Sequence, residues 1–191
     1  QTAATFSADL AAATRSAATR GLAPRSLVFP RNQWHPDYLA ILAEHGIVAY
    51  RGNEHGWLYA ATGHVGQNAV RRMGRLLDSY LDLSGHHTYP LESCAGEPPF
   101  NFPASRFLRP YDRRVAWLDG LRLRRIRRAM RHAARRQEIF HLWWHPHNFG
   151  VDTDQNMRFL EQVIDEFERL RHAHGMRSLG MAELADALAA R

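Results

Sequence analysis

A chain of 191 residues, 45% hydrophobic and 23% charged, suggests one domain able to bury a core and excludes global disorder. Its formal net charge of +6 comes from 25 basic and 19 acidic side chains, and all 25 are arginine, a bias that reads as genome composition and weakens any nucleic-acid partner argued from charge alone. No apolar run nears the ~20 residues of a membrane span, no secretory signal opens the chain, and the single cysteine, Cys94, excludes an intrachain disulfide and fits a reducing, cytoplasmic compartment.

"TFSADLAAATRSAATRG" predicts a helix with Phe6, Leu10, Ala13 and Ala17 on one face and Gly21 as its stop. Arg25 to Phe29 reads as a short buried strand, followed by the loop "PRNQWHP". "PDYLAILAEHG" predicts a helix with Tyr38, Leu39, Leu42 and Ala43 inward and Gly46 at its end. "IVAYR" is the next strand, and Val65 to Leu83 a long helix burying Val70, Met73, Leu76, Leu77 and Tyr80. Ser84 to Ala104, rich in Gly, Pro, Ser and Glu, reads as a long loop insertion, with a short strand in "SRFLRPY" after it. Leu118 to Arg136 is an arginine-rich helix whose stripe is Leu121, Ile126, Met130 and Ala133. "EIFHLWWH" is a strand and "PHNFG" a loop. A long helix from Thr153, its expected cap, "MRSLG" as strand or turn, and a closing helix capped near Gly180 complete the chain.

Strand, loop and helix alternate, so helices are expected to cross back over parallel strands within one domain, residues 1–191. Polar and ring residues crowd the strand ends: Arg31, Asn32 and Gln33, then Arg51 and Asn53, then His145, His147 and Asn148. Sites of (β/α) barrels sit at that face, but four or five strands fall short of the eight a full barrel carries. The fold class is therefore α/β, an incomplete (β/α) barrel.

The densest chemistry is "FHLWWHPHNFG", with His141, His145 and His147. It could be a metal site, an acid–base histidine, or an aromatic core strand with one hydrogen-bonded histidine. The "HPH" also suggests an amidohydrolase-like metal hydrolase, although the bridging lysine common in such sites is absent from this lysine-free chain.

"SLVFPRNQ…PDYLAILAEHGIVAYRG" together with "FHLWWHPHNF…FLEQVIDEFERLRHAHGMRSLGMAELA" resembles the C-terminal part of a polysaccharide deacetylase of the NodB-homology type. The resemblance spans nearly the whole chain. It implies a distorted (β/α) barrel that removes acetyl groups from sugars with a divalent metal, commonly zinc. It makes His145, in "LWWHP", the general acid. Arg31, in "FPRNQ", becomes the partner of a catalytic aspartate, although proline here precedes arginine and the family order is the reverse. Trp143 or Trp144, both substrate-binding candidates, would help line an acetyl pocket. Trp57, in "YRGNEHGW", falls where the family usually carries an Asp and a Trp; no aspartate matches. Asn32 and Arg109 are further substrate-binding candidates, and Asn101 and Arg106 are placed to reach over the barrel mouth. The family's paired aspartates and metal-binding histidines have no counterpart before Ser26. They are expected upstream of Gln1, and the chain by itself is expected to be inactive.

Two other features carry readings of their own. "LRLRRIRRAMRHAARR" could bind nucleic acid or an acidic glycan through Arg124, Arg128 and Arg131, or simply present a solvated face. His86 and His87 in "GHHTYP" read as solvent-exposed loop residues, with Cys94 a small loop residue beside them.

Overall fold

The computed structural model describes residues 2–30, 35–54, 58–59 and 69–190. The architecture is mixed α/β, with helices α1 (Ala3–Ala18), α2 (Asp37–Glu44), α3 (Ala69–Asp78), α4 (Asp119–Arg136), α5 (Pro146–Phe149), α6 (Thr153–His174) and α7 (Met181–Ala189). The strands are short: β1 (Ser26–Leu27), β2 (Ala49–Gly52), β3 (Tyr89–Pro90), β4 (Phe100–Pro103), β5 (Arg106–Phe107), β6 (Glu138–Ile139) and β7 (Leu142–Trp143). They form three small sheets, ordered β1-β2-β4, β3-β6 and β5-β7, and among the described residues no sheet closes into a barrel. The chain divides into two compact units, residues 1–52, 94–102 and 178–191, and residues 53–93 and 103–177.

The first unit is built on a βαβ crossover. β1 pairs with β2 in parallel, Ser26 opposite Ala49 and Leu27 opposite Tyr50, with α2 between them. Phe6 and Leu10 of α1 and Leu42 of α2 bury against Phe29, Ile47 and Tyr50. The rings of Phe6 and Tyr38 stack 4.5 Å apart. The α2 stripe holds for Tyr38, Leu39 and Leu42 but not for Ala43, which is exposed, while Ile41 turns partly inward. Ala13 of α1 is likewise exposed. β4 was expected to be loop; its Phe100 N–H donates to the Val48 carbonyl at 2.8 Å, adding it beside β2. A Cβ on Gly52 would run into the Asn101 side-chain amide, so any larger residue there would have to displace it. α7 starts at Gly180, whose N–H donates to the Glu183 carboxylate at 2.6 Å. Arg25 holds Asp186 of α7 in a solvent-exposed pair.

The second unit packs α4 against α6. Its core is Leu108, Leu123, Ile126, Met130, Ala134, Phe149, Phe159, Val163 and Leu170. Of the expected α4 stripe Ile126, Met130 and Ala133 are buried, while Leu121 is exposed and Leu123 is buried in its stead. Two arginines, Arg122 and Arg125, turn inward with it. Arg122 lies over the Phe159 ring, 4.0 Å from its centroid, pairs with Asp119 at 3.0 Å and donates to the carbonyls of Arg109 and Pro110. Glu166 of α6, 2% exposed, accepts from Arg131 at 2.6 and 3.1 Å and from Arg169 at 3.2 Å. α6 begins after Asp152 in the cap position, not at Thr153, and ends at Gly175 with φ +67°. Residues 176–180 form no strand.

α3 departs furthest from its apolar pattern. Val70, Met73, Leu76 and Leu77 are exposed and Tyr80 is half-buried, while Asp78, 0% exposed, is its buried residue. Asp78 accepts from the Tyr59 hydroxyl at 2.7 Å, the Ser84 hydroxyl at 2.8 Å, the N–H groups of Leu83 at 3.1 Å and Ser84 at 2.9 Å, and Arg106 Nη1 at 3.1 Å. Arg125 Nη2 stands 3.6 Å from it and 2.9 Å from Asp82. Two buried guanidiniums thus face two carboxylates. Arg106 serves this cluster and is 4% exposed, so it does not reach substrate as expected. Burial would raise the Asp78 carboxyl, but the Tyr59, Arg106 and Ser84 contacts outweigh it and hold the group at about 2.

Removing the Asp78 charge leaves buried Arg106 without its carboxylate, while Arg125 keeps Asp82. Asp78→Asn is therefore expected to cost about 3–5 kcal/mol in urea unfolding. Because the folded carboxyl sits below the ordinary ~3.9 of an unfolded aspartate, its contribution is full above pH ~4. It is lost as pH falls toward about 2. The stability gap between wild type and Asp78→Asn should shrink over that window, and a gap constant from pH 5 to about 2 would contradict the assignment.

Candidate functional site

The strand expected over "EIFHLWWH" is two strands. β6 pairs antiparallel with β3, Tyr89 opposite Ile139, where a parallel strand was expected. β7 pairs in parallel with β5, Arg106 opposite Leu142 and Phe107 opposite Trp143. The break falls at His141, whose N–H donates to the Ser105 hydroxyl at 2.8 Å while its carbonyl accepts from the Ser105 N–H at 2.9 Å. A side chain replaces a backbone acceptor, so the ladder changes partner there.

Beyond β7 the sequence controls the geometry of His145. A residue before proline is driven out of the helical region, and proline suits the first helical position. His145 accordingly stays extended, φ −98° and ψ 119°, and Pro146 opens the short helix α5, where a loop was expected. Strand alternation puts Trp143 and His145 on one face. Their rings meet edge-on at 5.3 Å, and Phe107 of β5 stands 4.6 Å from Trp143 and 5.9 Å from His145. Trp144, on the other face, stacks on Phe149 at 5.7 Å and remains 38% exposed. The parallel register, continued by the Leu108 N–H donating to the Trp143 carbonyl at 2.8 Å, brings Arg109 to the same strand end as His145. The site is thus an exposed imidazole in an aromatic wall with an arginine at its level.

Of the expected site residues, His145, Trp143, Trp144 and Arg109 come together around the β5–β7 end. Arg31, Asn32 and Trp57 lie outside the described residues. His147 is exposed, its ring stacked on that of His145 at 5.2 Å with planes 23° apart. Ring-nitrogen lone pairs lie in the ring planes, so two stacked imidazoles do not aim at one point ~2.0–2.1 Å from both, as zinc requires. Among the described residues no three His, Cys, Asp or Glu side chains are grouped to hold a metal ion. These side chains do not fit a zinc centre.

Sequence reasoning missed two clusters in the second unit. One is the Asp78 cluster. The other surrounds His86, which is half-buried where an exposed loop residue was expected. His87 is half-buried too, with φ +51° and Nε2 2.7 Å from the Ser84 hydroxyl, and Cys94 is buried in the 3₁₀ turn Leu91–Cys94. The available signal was the recurrence of Arg125, Arg128, His132 and Arg135 on α4 at steps of three and four.

A zinc titration of this chain by calorimetry is expected to show no site tighter than about micromolar. A stoichiometric site that disappears in His141→Ala would contradict the geometry above. Comparison with protein-family models, curated proteins and solved structures found no match for this chain, and no helix among the described residues is long and apolar enough to cross a membrane.

Proposed function

We propose that the β5–β7 end is the acid-side face of a carbohydrate deacetylase-type domain, with His145 the group that passes a proton to the departing sugar atom. The observation that carries this reading is the placement of His145: exposed at the end of a parallel strand, held extended by Pro146, with the Trp143 and Phe107 rings beside it. Flat apolar rings next to a proton donor suit a sugar, whose C–H faces stack on aromatics while its substituents hydrogen-bond. Arg109, level with His145 in the β5–β7 register, stands near enough to contact the same substrate, whereas Trp144 faces the other side of the strand. A positioned general acid contributes ~10²–10⁴-fold, so His145 alone does not make an efficient hydrolase. The divalent metal of this reaction class, commonly zinc, would supply an activated water from residues other than those described.

The reading is tested by binding, which does not require the full reaction. Oligomers of N-acetylglucosamine should quench or shift tryptophan fluorescence saturably, and deacetylated oligomers should do so more weakly. Trp143→Ala should weaken binding about tenfold, equivalent to ~1.4 kcal/mol. His145→Ala should leave it within about twofold, since an acid acting in the transition state adds little to ground-state binding. No saturable response, or one unchanged by Trp143→Ala, would contradict the proposal.

A further inference from the structure

A second cluster lies on the α4 surface of the same unit, separate in its residues from the β5–β7 end. A cleft of about 470 Å³ is lined by His86, Arg128, Arg131, His132, Arg135 and Arg136. Arg128, Arg131, His132 and Arg135 follow at steps of three and four, so they share one face of α4. Like charges at those spacings destabilise a helix by ~0.2–0.5 kcal/mol per pair, a cost that carboxylates or a bound anion must offset. The carboxylates are present but spoken for. Glu166 takes Arg131 and Arg169, with Arg127 Nε 3.8 Å away; Glu138 takes Arg136 at 3.0 Å; Asp82 takes Arg125 at 2.9 Å. Arg128 and Arg135 are exposed and have no carboxylate partner among the described residues.

The two imidazoles at the cleft are oriented. Their rings lie 4.5 Å apart. Arg125 Nη1 approaches His86 Nδ1 at 3.3 Å, and a guanidinium only donates, so Nδ1 accepts and the proton of neutral His86 resides on Nε2. Asp82 stands 3.7 Å from the same nitrogen. His132 is held from the other side. The Thr88 hydroxyl donates to Glu138, so it accepts the His132 Nδ1–H at 3.0 Å, with Glu138 3.5 Å from that nitrogen. This relay fixes the His132 tautomer and leaves its Nε2 without a partner among the described residues. His86 thus has an oriented N–H, and His132 an Nε2 that becomes a second donor when the ring is protonated.

We propose that this cleft binds a phosphate dianion, with Arg128 and Arg135 as its charge partners and His86 Nε2–H as a directional donor. Two guanidiniums lacking carboxylates match two negative charges, and guanidinium suits tetrahedral oxyanions through paired N–H donors. The site needs a phosphate group, either free or ending a small molecule.

Inorganic phosphate and phenyl phosphate, titrated into the whole chain at constant ionic strength, test the proposal through the imidazole Cε1–H resonances. Saturable shifts confined to His86 and His132, with dissociation constants of about millimolar or tighter, are expected for both. An Arg128→Gln, Arg135→Gln double variant should weaken binding about tenfold or more with an unchanged helical circular-dichroism spectrum. Arg124→Gln, exposed on α4 but outside the cleft, should change it less than about twofold. Binding of inorganic phosphate without phenyl phosphate would assign the site to the free ion, and the reverse to the ester; either supports it. Equal losses from Arg124→Gln and the double variant would show diffuse charge attraction and overturn it. So would the absence of saturation by ~50 mM, or equally strong shifts from chloride alone.

Discussion

The second unit depends on a carboxylate that has no access to water. Asp78 ends α3, a helix whose apolar side chains remain exposed, and it gathers donors from Tyr59, from the turn at Leu83 and Ser84, from Arg106 of β5 and from Arg125 of α4. An isolated charge in that position would be prohibitively costly. Here it is stabilised by neutral and charged hydrogen bonds, and Asp82 balances the second guanidinium. The cluster thereby links a helix, a turn, the strand that frames the His145 site and the helix that carries the arginine cleft. Its position explains how both candidate sites can share one scaffold without sharing residues.

The two sites use different chemistry for reasons visible in local sequence. At the β5–β7 end, the dipeptide His145–Pro146 makes an extended residue followed at once by a helix start, and strand alternation supplies the ring beside it. On α4, helical repetition places cations in a row, and the loop at His86 brings an imidazole to them. The first sets the His145 imidazole beside the Trp143 and Phe107 rings, the arrangement on which the proposed sugar reading rests. The second gathers arginines around two oriented imidazoles, the arrangement on which the proposed phosphate binding rests. Their residues do not overlap, so each can be disabled independently.

Much of the architecture was legible in periodicity. The α1, α2, α4, α6 and α7 helices, the β1–α2–β2 crossover and the exposed end of the "LWWHP" strand follow from apolar spacing, glycine stops and the proline. What could not be read is where polar pairing overrules that pattern. Val70, Met73, Leu76 and Leu77 make α3 look like an inward-facing helix, yet it docks through Asp78, because six donors converge where its last turn ends. Arg122 and Arg125 look like outer-face residues of α4. They turn inward because Phe159, Asp78 and Asp82, 37 to 47 residues away, compensate them together with Asp119 of the same helix, and the distant contacts are in no single-helix pattern. β3 and β4 hid in a Gly- and Pro-rich stretch because a strand of two to four residues carries no readable alternation. That Trp143, Trp144, Arg109 and His145 lie near one strand end follows from the pairing of β5 with β7.

The central claim is that Asp78 organises the turn after α3 through hydrogen bonds to a buried, ionised carboxylate. Native-state amide hydrogen exchange reads those bonds one by one. The Leu83 and Ser84 amides lie outside any helix or strand, and each donates to Asp78. They should be protected nearly as well as the amides in the middle of α4, and Asp78→Ala, which removes the acceptor, should remove that protection while leaving exchange in the first unit unchanged. Exchange of Leu83 and Ser84 at the rate of an open loop in the native protein would contradict the account.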